Sequence, residues 1–163
     1  MKKVVKVMLP LLFAATSFAQ STTVWHKIVG VITAPGTSNT VAGITSGGPW
    51  TASGGNATVN FTQGIVTFVV EGLVLVGGNN SGTPGAVTSV KGTLVCNPGA
   101  TNQVNVDTPL VPLSAQGNAA FSGNFVDGPP PATCTNPLFL IRVGAGVWIA
   151  TGAVREFLPP TPI

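Results

Sequence analysis

Short segments in which apolar and polar residues alternate recur along most of this chain. At 56–62, Ala57, Val59 and Phe61 alternate with asparagine and threonine, and 118–125 shows the same alternation. Period two places every second side chain on the same face of a strand, so each segment predicts a strand with one buried face. Further strands are predicted at 24–33, 40–45, 86–96, 109–113, 137–143 and 146–154.

The segment 64–76 differs because both of its alternating faces are mainly apolar, with Glu71 as the one charged residue. We expect a central strand, because both faces are too apolar for an exposed edge of a sheet. Gly72 interrupts the run and predicts a bulge or a bend, because glycine packs no side chain and tolerates an irregular backbone.

Gly, Pro and Asn clusters separate these segments, and no helical periodicity follows the N-terminal region. The pattern predicts an all-β fold, a single antiparallel β-sandwich that is Ig-like or similar. The domain is expected to span 20–157. Residues 158–163 form a Pro-rich C-terminal tail, in which proline removes the backbone donors that a regular strand needs.

Residues 1–19 have the features of a secretory signal peptide. Lys2 and Lys3 precede a short apolar run at 7–13, and Ser-Phe-Ala at 17–19 matches the small-residue pattern of a cleavage site. The apolar run is too short to span a bilayer, and no transmembrane segment is predicted in the mature chain. We expect cleavage near Ala19-Gln20 and a secreted, extracellular or cell-envelope location; the short Lys-rich signal is typical of bacteria.

Removing this signal changes the charge balance. The formal net charge of +3 comes from Lys2, Lys3 and Lys6, and the remaining four basic and four acidic residues balance one another. Only 7% of the chain is charged, against about 25% in a typical soluble domain. So few bases cannot neutralise a phosphate backbone, so a nucleic-acid partner is not expected.

Cys96 and Cys134 are the two cysteines of the chain. In an exported protein an isolated pair predicts a disulfide. Two cysteines and one histidine without Cys-x-x-Cys spacing do not support a zinc site.

The mature chain also resembles a family of small secreted bacterial proteins of uncharacterised function, through the order and spacing of several short motifs. These are Gly43-Ile44, Pro49-Trp50, Val70-Glu71-Gly72-Leu73-Val74-Leu75, Lys91-Gly92-Thr93-Leu94-Val95-Cys96, Pro112-Leu113-Ser114, Gly117-Asn118-Ala119, Cys134, Pro137-Leu138-Phe139-Leu140-Ile141 and Trp148-Ile149-Ala150. The resemblance implies a β-sandwich with one disulfide and supplies no catalytic residues.

Candidate catalytic chemistry is sparse. His26 is the only histidine, so a Ser-His-acid triad would have to use it, and no Gly-x-Ser-x-Gly elbow presents a nucleophile. Asp107 and Asp127 lie in segments rich in turn residues, and nothing in the sequence pairs any two carboxylates as a glycosidase requires. We therefore expect no catalytic, cofactor-binding or metal-binding residues. A hydrolase remains the second alternative function.

Trp50 is the remaining candidate ligand-binding residue. It follows Gly-Gly-Pro, a turn that could display the indole for stacking on a sugar ring, or the ring could instead close one end of the core. The leading hypothesis is a non-enzymatic structural or interaction domain, and the first alternative is a carbohydrate-binding module. Expected partners are a second copy of the chain or a cell-surface glycan. For self-association, the strand at 24–33 is the expected exchanging segment.

Overall fold

The computed structural model describes residues 22–34, 36–144 and 146–159, so the predicted signal peptide and its cleavage site lie outside the described residues. The described chain forms strands and no helix. The strands are β1 (Thr22–Gly30), β2 (Thr40–Val41), β3 (Ile44–Thr45), β4 (Trp50–Thr51), β5 (Gly54–Asn60), β6 (Ile65–Glu71), β7 (Val74–Leu75), β8 (Ser89–Cys96), β9 (Val104–Asp107), β10 (Val111–Pro112), β11 (Ala119–Asn124), β12 (Leu138–Arg142) and β13 (Trp148–Leu158). The described residues thus contain no helix that could cross a membrane.

Most of these strands belong to one antiparallel sheet that curls over on itself. Its order is β10-β8-β12-β13-β1-β5-β6-β11, and β9 pairs with β8 alongside β10. The two margins of the sheet meet, because Val126 N donates to Asp107 O at 2.8 Å and Ser114 N donates to Asn118 O at 2.9 Å. The predicted all-β, sandwich-like fold is therefore confirmed: two layers of a continuous antiparallel sheet face each other across a core.

Aromatic rings fill the centre of this core. Trp25 and Phe139 lie with ring centroids 5.5 Å apart, and Phe68 lies 5.8 Å from Phe139. Gly92 on β8 leaves room for them, since a Cβ at that position would lie 2.6 Å from Phe139 Cζ. The rings come from β1, β6 and β12, so their contact ties the two layers together and contributes dispersion energy as well as burial.

Two predicted strands are interrupted by residues with positive φ. The segment 40–45 forms the hairpin β2–β3, with Ala42 at φ 51° and Gly43 at φ 76° in its turn. The segment 64–76 ends its ladder at Gly72, where φ is 58°, and β7 then pairs with β4 in a separate two-stranded sheet. The predicted bend at Gly72 is thus confirmed.

The predicted central position of β6 is confirmed. β6 lies inside the sheet, between β5 and β11, and its inward residues are buried. Ile65 and Val69 instead point outward and remain 39% and 38% exposed, because no described segment packs over this part of the sheet.

β1 is an internal strand of the sheet. It pairs with β13 along its length and with β5 from Thr22 to Trp25, and its exchange between copies stays a prediction. β13 extends to Leu158, the first residue assigned to the Pro-rich tail, and ends there before Pro159.

Candidate interaction surface

The predicted disulfide is confirmed. Cys96, at the end of β8, is bonded to Cys134, and their Cα atoms lie 4.8 Å apart. Both residues are buried. Next to the bond, Thr135 N donates to Asn97 Oδ1 at 2.8 Å, so the segment leading into β12 is held to the end of β8 by both covalent and polar contacts.

Of the two alternatives for Trp50, display in a turn or closure of one end of the core, the structure shows the second, because only 3% of its surface is exposed. Its backbone is held against the end of β1: Trp50 N donates to Val31 O at 2.7 Å, and a Cβ on Gly30 would lie 2.2 Å from Trp50 O. Pro49 O also accepts from Val76 N. These contacts turn the indole toward the core, and Trp50 therefore offers no open ring face for a sugar.

His26 and Glu156 form an exposed pair, with Nε2 and Oε2 2.7 Å apart. Their side chains are about half exposed, at 50% and 54%. Such a pair contributes little to stability, because water screens it. His26 is thus paired with an acidic residue at the protein surface.

Asp107 is the centre of a polar cluster that sequence reasoning missed. It receives Thr93 Oγ1 at 2.5 Å, pairs with Lys91, and lies 3.6 Å from Arg142 Nη1. Arg142 also donates from Nη2 to Gly146 O at 2.9 Å. The residues come from β8, β9 and β12, so only the tertiary pairing of these strands brings them together. One carboxylate thus joins two cations and holds β9 on the sheet.

A broad uncovered surface lies on the outward side of five adjacent strands, β13, β1, β5, β6 and β11. We call it the open face. Its members are Leu158, Glu156, Thr22, Val24, Asn56, Thr58, Asn60, Ile65, Thr67, Val69, Glu71, Ala120, Ser122 and Asn124. Each is exposed or half-buried, whereas the residues that alternate with them on β5 and β6 are buried.

The strand register arranges these side chains in rows across the sheet. Thr67 lies opposite Thr58 on one side and opposite Ser122 on the other, and Val24 lies opposite Thr58. Neighbouring strands are about 4.8 Å apart, so such a row presents hydroxyl and aliphatic groups at regular intervals. Within the described chain, the side chains of Thr58, Thr67 and Ser122 make no hydrogen bond, which leaves their hydroxyl groups available.

The open face carries acids and no base among its members. Glu71 ends β6 beside Val69, and Glu156 lies at the β13 margin, where it contacts His26. Lys27 follows on β1 but lines a separate hollow of about 390 Å³ beside Trp50. Ile65 and Val69 add exposed aliphatic surface between the polar groups.

Comparisons with known proteins do not add to this description. No family model matches the chain, and neither the curated proteins nor the solved structures contain a match. Among the residues that the structure describes, no three His, Cys, Asp or Glu side chains are grouped so as to hold a metal ion.

Proposed function

We propose that this chain is a secreted bacterial domain that works by binding through the open face, not by catalysis. The observation that supports this proposal is the open face itself: five strands wide, uncovered, with exposed aliphatic groups and unpartnered hydroxyls. A broad uncovered face that carries exposed aliphatic groups commonly marks an interaction site.

The charged groups support the same proposal. Asp107 is engaged by Lys91, Thr93 and Arg142, and Glu156 by His26. A general acid or nucleophile needs a carboxylate or imidazole placed beside a second reactive group in a cleft. The cluster around Asp107 instead resembles ion pairs that support a scaffold, and His26 and Glu156 form an exposed surface pair.

Secretion is the second part of the proposal, and it rests on the sequence of residues 1–19. The expected mature protein begins at Gln20, and its extracellular or envelope location agrees with a buried Cys96–Cys134 disulfide, because such bonds persist in oxidising compartments. The intact mass of the protein recovered from the medium or envelope tests this. A mass that retains residues 1–19 would reject the cleavage site.

Binding is tested with the labelled mature protein and the envelope fraction of the producing cells. The variants are Val69→Lys, which places a charge on the open face, and Val104→Lys, which places the same charge on β9 in the opposite layer. The two valines are equally exposed, at 38%. We expect Val69→Lys to lose binding and Val104→Lys to keep it. Equal binding by both variants, or turnover in a hydrolase panel, would reject the proposed function.

A further inference from the structure

We propose that the hollow beside Trp50 binds a small amphiphilic carboxylate, an aliphatic chain that ends in one carboxylate group. The inference goes beyond the proposed function, because this hollow is separate from the open face and takes a different class of ligand. Its volume of about 390 Å³ lies within the range of about 300–1,000 Å³ that is usual for small-molecule sites. We call it the Lys27 hollow; its lining includes Lys27, Val29, Ile32, Pro49, Ala52 and Val76.

Backbone contacts between three segments form the Lys27 hollow. β5 pairs with the first half of β1 only, and beyond it the chain at 49–52 lies beside the end of β1. Trp50 N donates to Val31 O at 2.7 Å, and Val76 N donates to Pro49 O at 3.0 Å. Main-chain hydrogen bonds thus hold the walls in place, so the hollow is formed before a ligand binds and little ordering opposes binding.

The lining of the hollow is mainly apolar, and part of it is uncovered. Ile32 and Val76 are 86% and 46% exposed. Among the described residues, Ile32 is the most exposed large apolar residue. An aliphatic chain that covers these side chains removes apolar surface from water, which favours binding. The lining therefore suits a ligand with an apolar body.

Lys27 is the one charged residue in this lining, and it lacks a counter-charge. Elsewhere in the described chain, Asp107 engages Lys91 and Arg142, and Arg155 donates to a backbone carbonyl at 2.6 Å. The ammonium group of Lys27 makes no ion pair or hydrogen bond with any described residue. A carboxylate is the complementary group, whereas a ligand cation would be repelled.

The donors and the length of the hollow narrow the class of ligand. A phosphate group carries up to two charges at neutral pH and is commonly held by several charged donors. This hollow supplies one ammonium group and the hydroxyl group of Thr51, which suits a singly charged anion. Lys27 and Ile32 are five residues apart on a largely extended segment, or roughly 17 Å. A carboxylate beside Lys27 thus leaves room for an aliphatic chain of medium length directed toward Ile32.

Isothermal titration calorimetry of the mature protein with decanoate tests the inference. We expect saturable binding with a dissociation constant below about 1 mM. Decyltrimethylammonium has the same aliphatic chain and the opposite charge, and it should bind at least about tenfold more weakly. Decyl phosphate, which carries the headgroup of an anionic lipid, should bind no more tightly than decanoate.

Variants separate the two halves of the ligand. Lys27→Gln should weaken decanoate binding about tenfold and remove the preference over decyltrimethylammonium, whereas Lys27→Arg keeps the charge and should retain both. Ile32→Ser should weaken both ligands alike, because it removes apolar surface only. The matched controls lie outside the hollow: Arg155→Gln removes another base, and Leu110→Ser changes another exposed apolar residue, 53% exposed. Both controls should bind decanoate as the wild type does.

Three results would overturn the inference. The first is a wild type that shows no saturable binding of decanoate, and the second is a Lys27→Gln variant that binds decanoate as tightly as the wild type. The third is tighter binding of decyl phosphate than of decanoate, which would identify phosphate as the recognised group. Envelope binding through the open face does not enter this titration, so the proposed function stands or fails independently of it.

Discussion

Gly152 on β13 lies directly beneath the indole of Trp25 on β1. A Cβ at Gly152 would be 2.6 Å from both Cδ1 and Cγ of that ring. Trp25 is 1% exposed and stacks at a tilt on Phe139, so the ring has no space into which it could withdraw. Because Gly152 has no side chain, the indole of Trp25 can pack directly against β13.

Gly152→Ala should destabilise the domain. Overpacking a well-filled core costs about 1–3 kcal/mol, which exceeds the gain of about 0.4–1 kcal/mol from a less flexible unfolded chain. Gly48→Ala is the matched control, because a Cβ there has no neighbour within 4 Å, and it should be neutral or slightly stabilising. Urea unfolding measures both. A Gly152→Ala variant as stable as Gly48→Ala would show that the core can yield at Trp25.

The disulfide gives the second prediction. Cys96 and Cys134 are 38 residues apart, and closing a loop of this length stabilises the folded state by about 4 kcal/mol in the chain-entropy model. The double variant Cys96→Ala, Cys134→Ala should lose a stability of that order in urea unfolding. Thiol titration of the unreduced, denatured exported protein should find no free thiol. Two titratable thiols would contradict the bond.

Asp107→Asn tests the polar cluster. Lys91 and Arg142 are only 16% and 13% exposed, so removing the carboxylate leaves two poorly hydrated cations beside each other. We expect a loss of about 2 kcal/mol, below the value for a fully buried pair because the cluster touches water. Asp127→Asn, the same change in an exposed turn, should stay within about 0.5 kcal/mol of the wild type. Equal losses of stability in Asp107→Asn and Asp127→Asn would contradict a structural role for Asp107.

The strands of this fold could be predicted from local patterns. Which faces of those strands the rest of the chain covers could not be predicted. Alternation at 56–62 and 118–125 identifies β5 and β11 and the faces they bury. Phe121 nevertheless remains half-buried, because β11 lies at a sheet margin that alternation does not reveal. Likewise, β6 is apolar on both faces, and only the tertiary structure shows that its outer face stays open.

The polar sites depended on contacts between distant segments. Asp107 ends the alternating stretch Val104–Asp107, and this alternation is a sequence signal for β9. The partners of Asp107 on β8 and β12 follow only from the order of the strands in the sheet. Trp50 follows a Gly-Gly-Pro turn, which favours display in isolation. The hydrogen bond from Trp50 N to Val31 O reverses this, and it joins segments that the sequence separates by a loop.

Val154 gives the last prediction, because its backbone is strained. It is β-branched yet has a φ of 55°, inside β13, across from His26 and between the register pairs Trp25–Arg155 and Lys27–Ala153. A left-handed conformation costs an ordinary residue about 1–2 kcal/mol, and a branched Cβ adds to the crowding. The side chain is 68% exposed, so little burial offsets this cost.

Val154→Asn should therefore stabilise the domain by about 1 kcal/mol, because asparagine tolerates the left-handed region. Unlike glycine, asparagine does not add conformational entropy to the unfolded chain. Val104→Asn is the control: Val104 lies in β9 outside the left-handed region, where asparagine is a poorer strand residue than valine, and this variant should be destabilised. Urea unfolding of both variants measures the difference. If both substitutions destabilise the domain alike, the left-handed backbone at Val154 carries no strain that asparagine relieves. Packing between Val154 and His26 would then be what stabilises this conformation.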